Sequence, residues 1–177
     1  MPWSETALRP WILRELAARG PAAEFTRVVD AGAGAGTARE FYTPAMPDAQ
    51  WTGIEIHEPY ATRFPLRDIN DDLILADIRT LGPYPQADLW LLADVLEHME
   101  PGDAVTVWQR AREAARWLVL SLPVLPYPQG PEFGNPHEAH VHDWDVGSVL
   151  GTFTGIVACA LPPSGLAAGA FIAEGLL

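Results

Sequence analysis

The stretch Asp30-Ala31-Gly32-Ala33-Gly34-Ala35-Gly36 constrains this chain more than any other. It follows a short apolar run, Arg27 to Ala31, and precedes a segment of helical character, Thr37 to Tyr42. Alternating glycines let the backbone take dihedral angles closed to other residues and approach a ligand closely. A helix beginning at Thr37 aims its unpaired N–H groups back at the loop. A purely structural turn does not need three alternating glycines, so the pattern predicts a strand–turn–helix unit that holds a small molecule.

The rest of the chain continues the alternation. Leu8, Trp11, Ile12 and Leu16 recur at helical spacing over Glu5 to Arg19, with Pro10 near the start and Gly20-Pro21 at the end. Trp51 to Ile56, Leu73 to Asp77, Ala87 to Ala93 and Trp117 to Leu122 read as strands. The run Ala87 to Ala93 is almost continuously apolar, as a strand covered on both faces should be. Helices are predicted over Pro59 to Phe64, where Pro65 stops the turn, over Pro101 to Ala115, and over Asp145 to Phe153. Gly155 to Ala160 and Ala168 to Glu174 close the chain as a hairpin-like pair around Pro162-Pro163-Ser164-Gly165. This order is the signature of an open, mostly parallel α/β sheet covered by helices. With 177 residues, 49% of them apolar, and no dividing linker or repeat, residues 1–177 read as one domain.

In such sheets the ligand sits outside the carboxyl ends of the strands, where strand order reverses. Four acidic residues stand at those ends: Asp30, Glu55, Asp77 and Asp94. Glu55 can accept both hydroxyls of a ribose, and Asp77 can accept from the amino group of an adenine. Asp30 can accept from an ammonium group and would repel a pyrophosphate. The dinucleotide pattern G-x-G-x-x-G fails, because its last position falls on Thr37 or Arg39. No Lys-Ser or Lys-Thr follows the glycines, so the phosphate loop of nucleotide hydrolases fails as well.

Charge narrows the partners. With 23 acidic and 11 basic residues the formal net charge is −12, which repels nucleic acid and anionic lipid alike. No apolar stretch reaches the roughly eighteen residues of a membrane span, and no secretory signal is legible at the start. A cytoplasmic location is the expectation. The single cysteine, Cys159, lies in an apolar run and reads as buried packing.

The segments VVDAGAGAGTAREF (Val28 to Phe41), GIEI around Glu55, LILADI around Asp77 and ADVLEHME (Ala93 to Glu100) together resemble class I S-adenosylmethionine-dependent methyltransferases. Small single-domain members with a DVLEH-type fourth motif resemble it most. Ala31 and Ala35 stand where that family often has another small or an acidic residue. The resemblance runs from about Val28 to Phe153 and implies a Rossmann-like methyltransferase fold. That fold has a seven-stranded, mostly parallel sheet in the order 3-2-1-4-5-7-6 with helices on both faces. It implies S-adenosylmethionine as cofactor. Asp30, Ala31, Gly32, Gly34 and Gly36 would surround its methionine part. Glu55 and Ile56 would hold the ribose, Asp77 and Ile78 the adenine, and Asp94 would complete the pocket.

The sulfonium of that cofactor is reactive in itself, and the protein must align a nucleophile with the methyl carbon and exclude water. A hydroxyl acceptor is helped by a base. The run Gly134 to Trp144, GNPHEAHVHDW, resembles a GNPxExH…W segment of small family members. Residues 123–144 are therefore expected to form an acceptor-binding loop. His140 is the first candidate base, then His98 and His142, with Glu97 and Glu138 as alternative proton acceptors. His140, His142 and His98 could also hold a divalent ion. The family mostly works without one, and no metal is expected. Trp3 and Trp11 are assigned to the remaining acceptor wall, where they could stack on a sugar or flat ring, or else to the core or a homodimer contact. The polar, histidine-rich loop favours an oxygen of a sugar or other small metabolite as acceptor. Two other readings stand beside this one: an NAD-dependent oxidoreductase, and a non-catalytic domain that retains the cofactor pocket.

Overall fold

A computed structural model describes residues 6–21, 24–161 and 166–177. Seven strands form one sheet: β1 (Arg27–Ala31), β2 (Gln50–Glu55), β3 (Asp72–Leu75), β4 (Ala87–Ala93), β5 (Ala115–Pro123), β6 (Ile156–Ala160) and β7 (Ala168–Glu174). Their spatial order is 3-2-1-4-5-7-6, as the resemblance implies. The first five strands run parallel, and β7 lies antiparallel between β5 and β6. From β1 the chain steps outward to β2 and β3, then returns to the opposite side of β1 as β4. The order therefore reverses between β1 and β4, and the register sets Ala31 beside both Ile54 and Leu92 at the carboxyl ends. That reversal leaves a crevice above the strand ends, and it positions the site.

Among the described residues six α-helices accompany the sheet: α1 (Arg9–Arg19), α2 (Thr37–Tyr42), α3 (Tyr60–Arg63), α4 (Leu66–Ile69), α5 (Pro101–Ala114) and α6 (Val146–Thr152). Side chains alternate across each strand, so the central strands feed two cores. On one face Val29, Trp90, Leu92, Leu118 and Leu120 pack against Ala104, Val107, Trp108 and Ala111 of α5 and Val149 of α6. On the other, Val28, Leu89, Leu91 and Val119 pack against Ile12 and Leu16 of α1 and Ala38 and Tyr42 of α2. Trp51, Trp90 and Trp108 are all fully enclosed, which explains why the near-continuous apolar run of β4 reads as a central strand.

Local chemistry sets the helix ends. Pro10 lies in the first turn of α1, where a missing N–H costs nothing, and Pro101 opens α5 in the same way. Asp145 and Ser148 form a reciprocal capping box on α6. Pro65, read in the sequence only as a stop, is also the residue before α4, a helical turn that the sequence reading missed.

Some expectations need correction or restriction. Cys159 is exposed rather than buried, because β6 is the edge strand of the sheet and its side chains alternate between half-buried and exposed. Trp11 is half-buried against the α1–α2 core, which is the core alternative of its two readings. Trp3, Glu5 and the turn Pro162 to Gly165 lie outside the described residues, and the first helix begins at Arg9, next to Pro10, rather than further upstream. Among those described, no helix is long and apolar enough to cross a membrane.

Two glycines give a direct test of the packing. A Cβ on Gly175, just beyond β7, would lie 1.8 Å from the backbone oxygen of Ala115, whereas one on Gly102 in α5 meets nothing within 4 Å. Gly175→Ala should destabilise by about 3 kcal/mol, the upper range of overpacking. Gly102→Ala should be neutral or stabilise by about 0.5–1 kcal/mol through helix propensity. Urea denaturation of the two variants checks both.

Candidate functional site

The glycine loop is built by three left-handed residues, Gly32 (φ 73°), Gly34 (φ 53°) and Gly36 (φ 80°). Space reinforces the angles: a Cβ on Gly32 would meet Val95 at 2.7 Å, and one on Gly36 would meet Ile69 at 2.4 Å. The loop is fastened to the end of β2, where the N–H groups of Gly32 and Ala33 donate to the Ile54 carbonyl at 2.8 and 3.0 Å. The decisive bond comes from the side chain that follows. Gly34 N–H donates to Glu55 Oε2 at 2.9 Å, while His57 N–H donates to Oε1 at 2.7 Å. Glu55 is buried, which pushes its carboxyl above the usual range, and these two N–H groups oppose that shift.

A cleft of ≈ 770 Å³, counted out to its open mouth, lies over this loop. Of the sequence-predicted cofactor residues it is lined by Gly32, Gly34, Glu55, Ile56, Asp77, Ile78 and Asp94. Asp30, Ala31 and Gly36 are not in its walls. Asp30 is buried beneath the loop, and burial pushes its carboxyl up to about 7 against the pull of Arg9. Arg9 reaches from α1 to donate to the Thr37 carbonyl at 2.8 Å, so α1 tethers the start of the loop's helix.

Asp77 is already engaged. Arg79 clamps its carboxylate with Nη2 at 2.7 Å and Nε at 3.0 Å, which holds it below the usual carboxylate range. Asp94 sits at the end of β4 with φ 55° and donates its N–H to the Ser121 carbonyl at 2.8 Å. A non-glycine residue in this region is uncommon, and such strain concentrates at functional sites.

The far wall comes from two later segments. His98 and Met99 follow the fourth strand, and Asn135, His137 and Glu138 belong to the 123–144 segment. Backbone bonds hold these parts together, because Val141 and His142 donate N–H to the Glu97 carbonyl at 2.8 and 3.2 Å. Tyr60 of α3 donates its hydroxyl to Glu138 Oε1 at 3.0 Å. Tyr60 and Arg79 escaped the sequence reading. Neither lies at a strand end or in a recognisable motif, and only the packing brings them in.

The three candidate histidines separate. His98 faces the cleft, and its Nδ1 lies 3.0 Å from the Ala139 carbonyl. His140 packs edge-on against His98 at 4.9 Å between ring centroids, with Nδ1 2.7 Å from the Tyr127 carbonyl. It borders a shallow outer depression rather than the cleft. Burial lowers the pKa of both rings. His142 turns instead onto Trp144, 4.6 Å away, and does not join the cleft. Glu97 beside them is buried, and burial, with Asp94 adding, raises its carboxyl well above the usual range.

No protein-family model matches the sequence, and no curated protein matches it. Solved structures do match. Human N-acetylserotonin methyltransferase, crystallised with S-adenosylmethionine, superposes with a TM-score of 0.66 at 17% identity over 92% of this chain and 51% of that one. The N-terminal domain of EvdMO1, crystallised with S-adenosylhomocysteine and D-fucose, gives 0.67 at 16% identity over 98% and 85%. Magnesium protoporphyrin IX methyltransferase of Synechocystis, with bound S-adenosylhomocysteine, gives 0.67 at 19% over 94% and 81%. The fold is the Rossmann-like methyltransferase fold. The chain spans about half the length of the N-acetylserotonin enzyme and of a mitomycin 7-O-methyltransferase it also matches.

Asp30 supplies a pH test. Its carboxyl ionises near 3.8 in an unfolded chain and only near 7 in the fold, so the fold holds a proton that the unfolded chain has released. Its contribution to stability is full below 3.8 and is lost as pH rises through 7. Stability should fall by on the order of 2–3 kcal/mol from this group between about pH 5 and pH 8. Asp30→Asn should flatten that slope in thermal or urea melts. An unchanged slope would mean the carboxyl is solvated or paired in the fold.

Proposed function

We propose that this chain is an S-adenosylmethionine-dependent methyltransferase acting on a small-molecule acceptor, with an oxygen of a sugar or other small metabolite as the methyl acceptor. The observation that carries the reading is the bond between Gly34 N–H and the Glu55 carboxylate at the base of the cleft. It fixes an acidic side chain beside the glycine loop, with free acceptor capacity on both oxygens for a ribose diol. Structural neighbours were crystallised with S-adenosylmethionine or its demethylated product, and one of them in the presence of a sugar.

The roles follow from the walls of the cleft. The loop at Gly32 and Gly34 takes the methionine part. Asp94, which lines the cleft where Asp30 does not, is the carboxylate placed to accept from the ammonium group. Asp77 and Ile78 take the adenine, and the amino group competes with Arg79 for Asp77. The 123–144 segment closes the acceptor side. Transfer joins the acceptor oxygen to the methyl carbon as the S–C bond breaks, and the hydroxyl proton leaves to a base. His98 faces the cleft, so it takes precedence over His140 as the group next to the acceptor, and His142 plays no part. The acidic surface and the absence of a membrane-spanning helix among the described residues fit a small, uncharged or cationic partner.

Titration of the purified protein with S-adenosylhomocysteine should show saturable one-to-one binding that NAD does not compete. Gly34→Val should abolish it. Glu55→Ala should weaken it by about 1–3 kcal/mol, because the ribose hydroxyls and the Gly34 N–H lose one shared acceptor. Tight NAD binding without response to the sulfonium cofactor would overturn the reading.

Turnover separates the histidines once an acceptor has been found by screening sugars and small hydroxyl compounds. His98→Ala should lose roughly 10²–10⁴-fold in rate with cofactor affinity unchanged, and His142→Ala should stay near normal. Normal turnover in His98→Ala would assign the proton to another group.

A further inference from the structure

Glu97, His98 and His140 converge outside the cofactor end of the cleft. One carboxylate oxygen and one ring nitrogen from each histidine all lie within 4.8 Å of one another. Glu97 is 1% exposed, and neither of its oxygens has a hydrogen-bond partner among the described residues. Burying a carboxylate without partners is costly, and native structures rarely leave one so.

The histidines are held in a revealing way. A backbone carbonyl can only accept, so the Nδ1 of His98, 3.0 Å from Ala139, and the Nδ1 of His140, 2.7 Å from Tyr127, each carry the proton. Each ring therefore presents Nε2 with its lone pair free. Two histidines fixed through Nδ1–H to backbone carbonyls, with Nε2 free, is the outer-shell arrangement that orients metal ligands. With Glu97 ionised, none of the three groups can donate to another, and with Glu97 protonated its single O–H can serve only one of the two rings. A cation between them satisfies all three.

We infer that Glu97, His98 and His140 form a binding site for one divalent transition-metal ion. Two imidazoles and one carboxylate favour ions of the zinc, iron or manganese class over magnesium or calcium, which prefer all-oxygen sites. The ligands come from two separate segments, the turn after β4 and the 123–144 loop, so the ion cross-links the loop to the body of the domain. Three protein ligands leave at least one coordination position for water or for an oxygen of the acceptor. The inference stands on these three residues and does not depend on the methyl-transfer reading; with the ion bound, His98 Nε2 is a ligand rather than the group that takes the acceptor's proton, so the base role of His98 applies to the metal-free protein. It departs from the expectation of a metal-free protein drawn from the family resemblance.

The test uses tag-free, full-length protein stripped with a chelator and then dialysed against Zn²⁺ or, separately, Mg²⁺. Metal content is read by elemental analysis, and the protection of the 123–144 loop by limited proteolysis. We expect one equivalent of zinc, no retained magnesium, and slower cleavage within 123–144 when zinc is present. Glu97→Gln and His140→Ala should each lower zinc affinity at least about 10-fold, the usual scale for a weakened metal shell. His142→Ala should retain full binding. His140 is on a half-exposed loop, so its variant keeps the test open if Glu97→Gln fails to fold. No saturable zinc binding, or binding that survives both Glu97→Gln and His140→Ala, would overturn the inference. Cofactor binding is a separate readout: its absence in both stripped and zinc-loaded protein removes the methyltransferase reading and leaves the metal site standing, whereas cofactor binding without saturable zinc binding removes the metal site alone.

Discussion

The hydrogen bond from Gly34 N–H to Glu55 organises the whole functional end of this molecule. It joins the first strand-to-helix turn to the end of the second strand through one side chain. For it to form, Gly34 must adopt a left-handed angle, the loop must lie flat on β2, and Glu55 must be buried. The cost of burying that carboxylate is offset by two backbone N–H groups, from Gly34 and His57. A third, weaker support comes from the opposite side, where Arg9 of α1 holds the start of α2. The loop is thus preformed, and a ligand need not pay to order it.

Much of this was legible in the sequence because each local signal agreed with the global one. Alternating glycines, a strand before and a helix after them, and acidic residues at strand ends all point to one crevice. Arg27–Ala31 and Ala87–Ala93 are strands with the boundaries that the apolar patterning predicts, because both are covered on two faces. What the sequence could not show are the relations that depend on packing. Cys159 is apolar by neighbourhood yet exposed, since only topology makes β6 an edge. Asp77 meets Arg79 two residues on, which sequence spacing alone does not distinguish from two independent surface charges. Asp30 reads like its three acidic counterparts but lies beneath the loop rather than in the cleft.

The histidines show the same limit. His140 and His142 stand two residues apart in the sequence, yet they face different partners in the fold. A 3-10 turn over Pro136–Glu138 precedes them, and backbone bonds to Glu97 and Gln129 turn His140 onto His98 while His142 packs on Trp144. The same bonds bring the buried Glu97 alongside. Residue types were legible as chemistry, but only the fold decides which of them share a site.

The central claim is that the cleft holds an adenosyl amino acid with its ribose on Glu55. A crystal structure of the protein grown with S-adenosylhomocysteine tests it most directly. The account predicts density over the glycine loop, both ribose hydroxyls within hydrogen-bond distance of the Glu55 carboxylate, and the adenine against Ile78 and Asp77. A cleft empty at saturating ligand, or a ligand bound with its ribose turned away from Glu55, would contradict it.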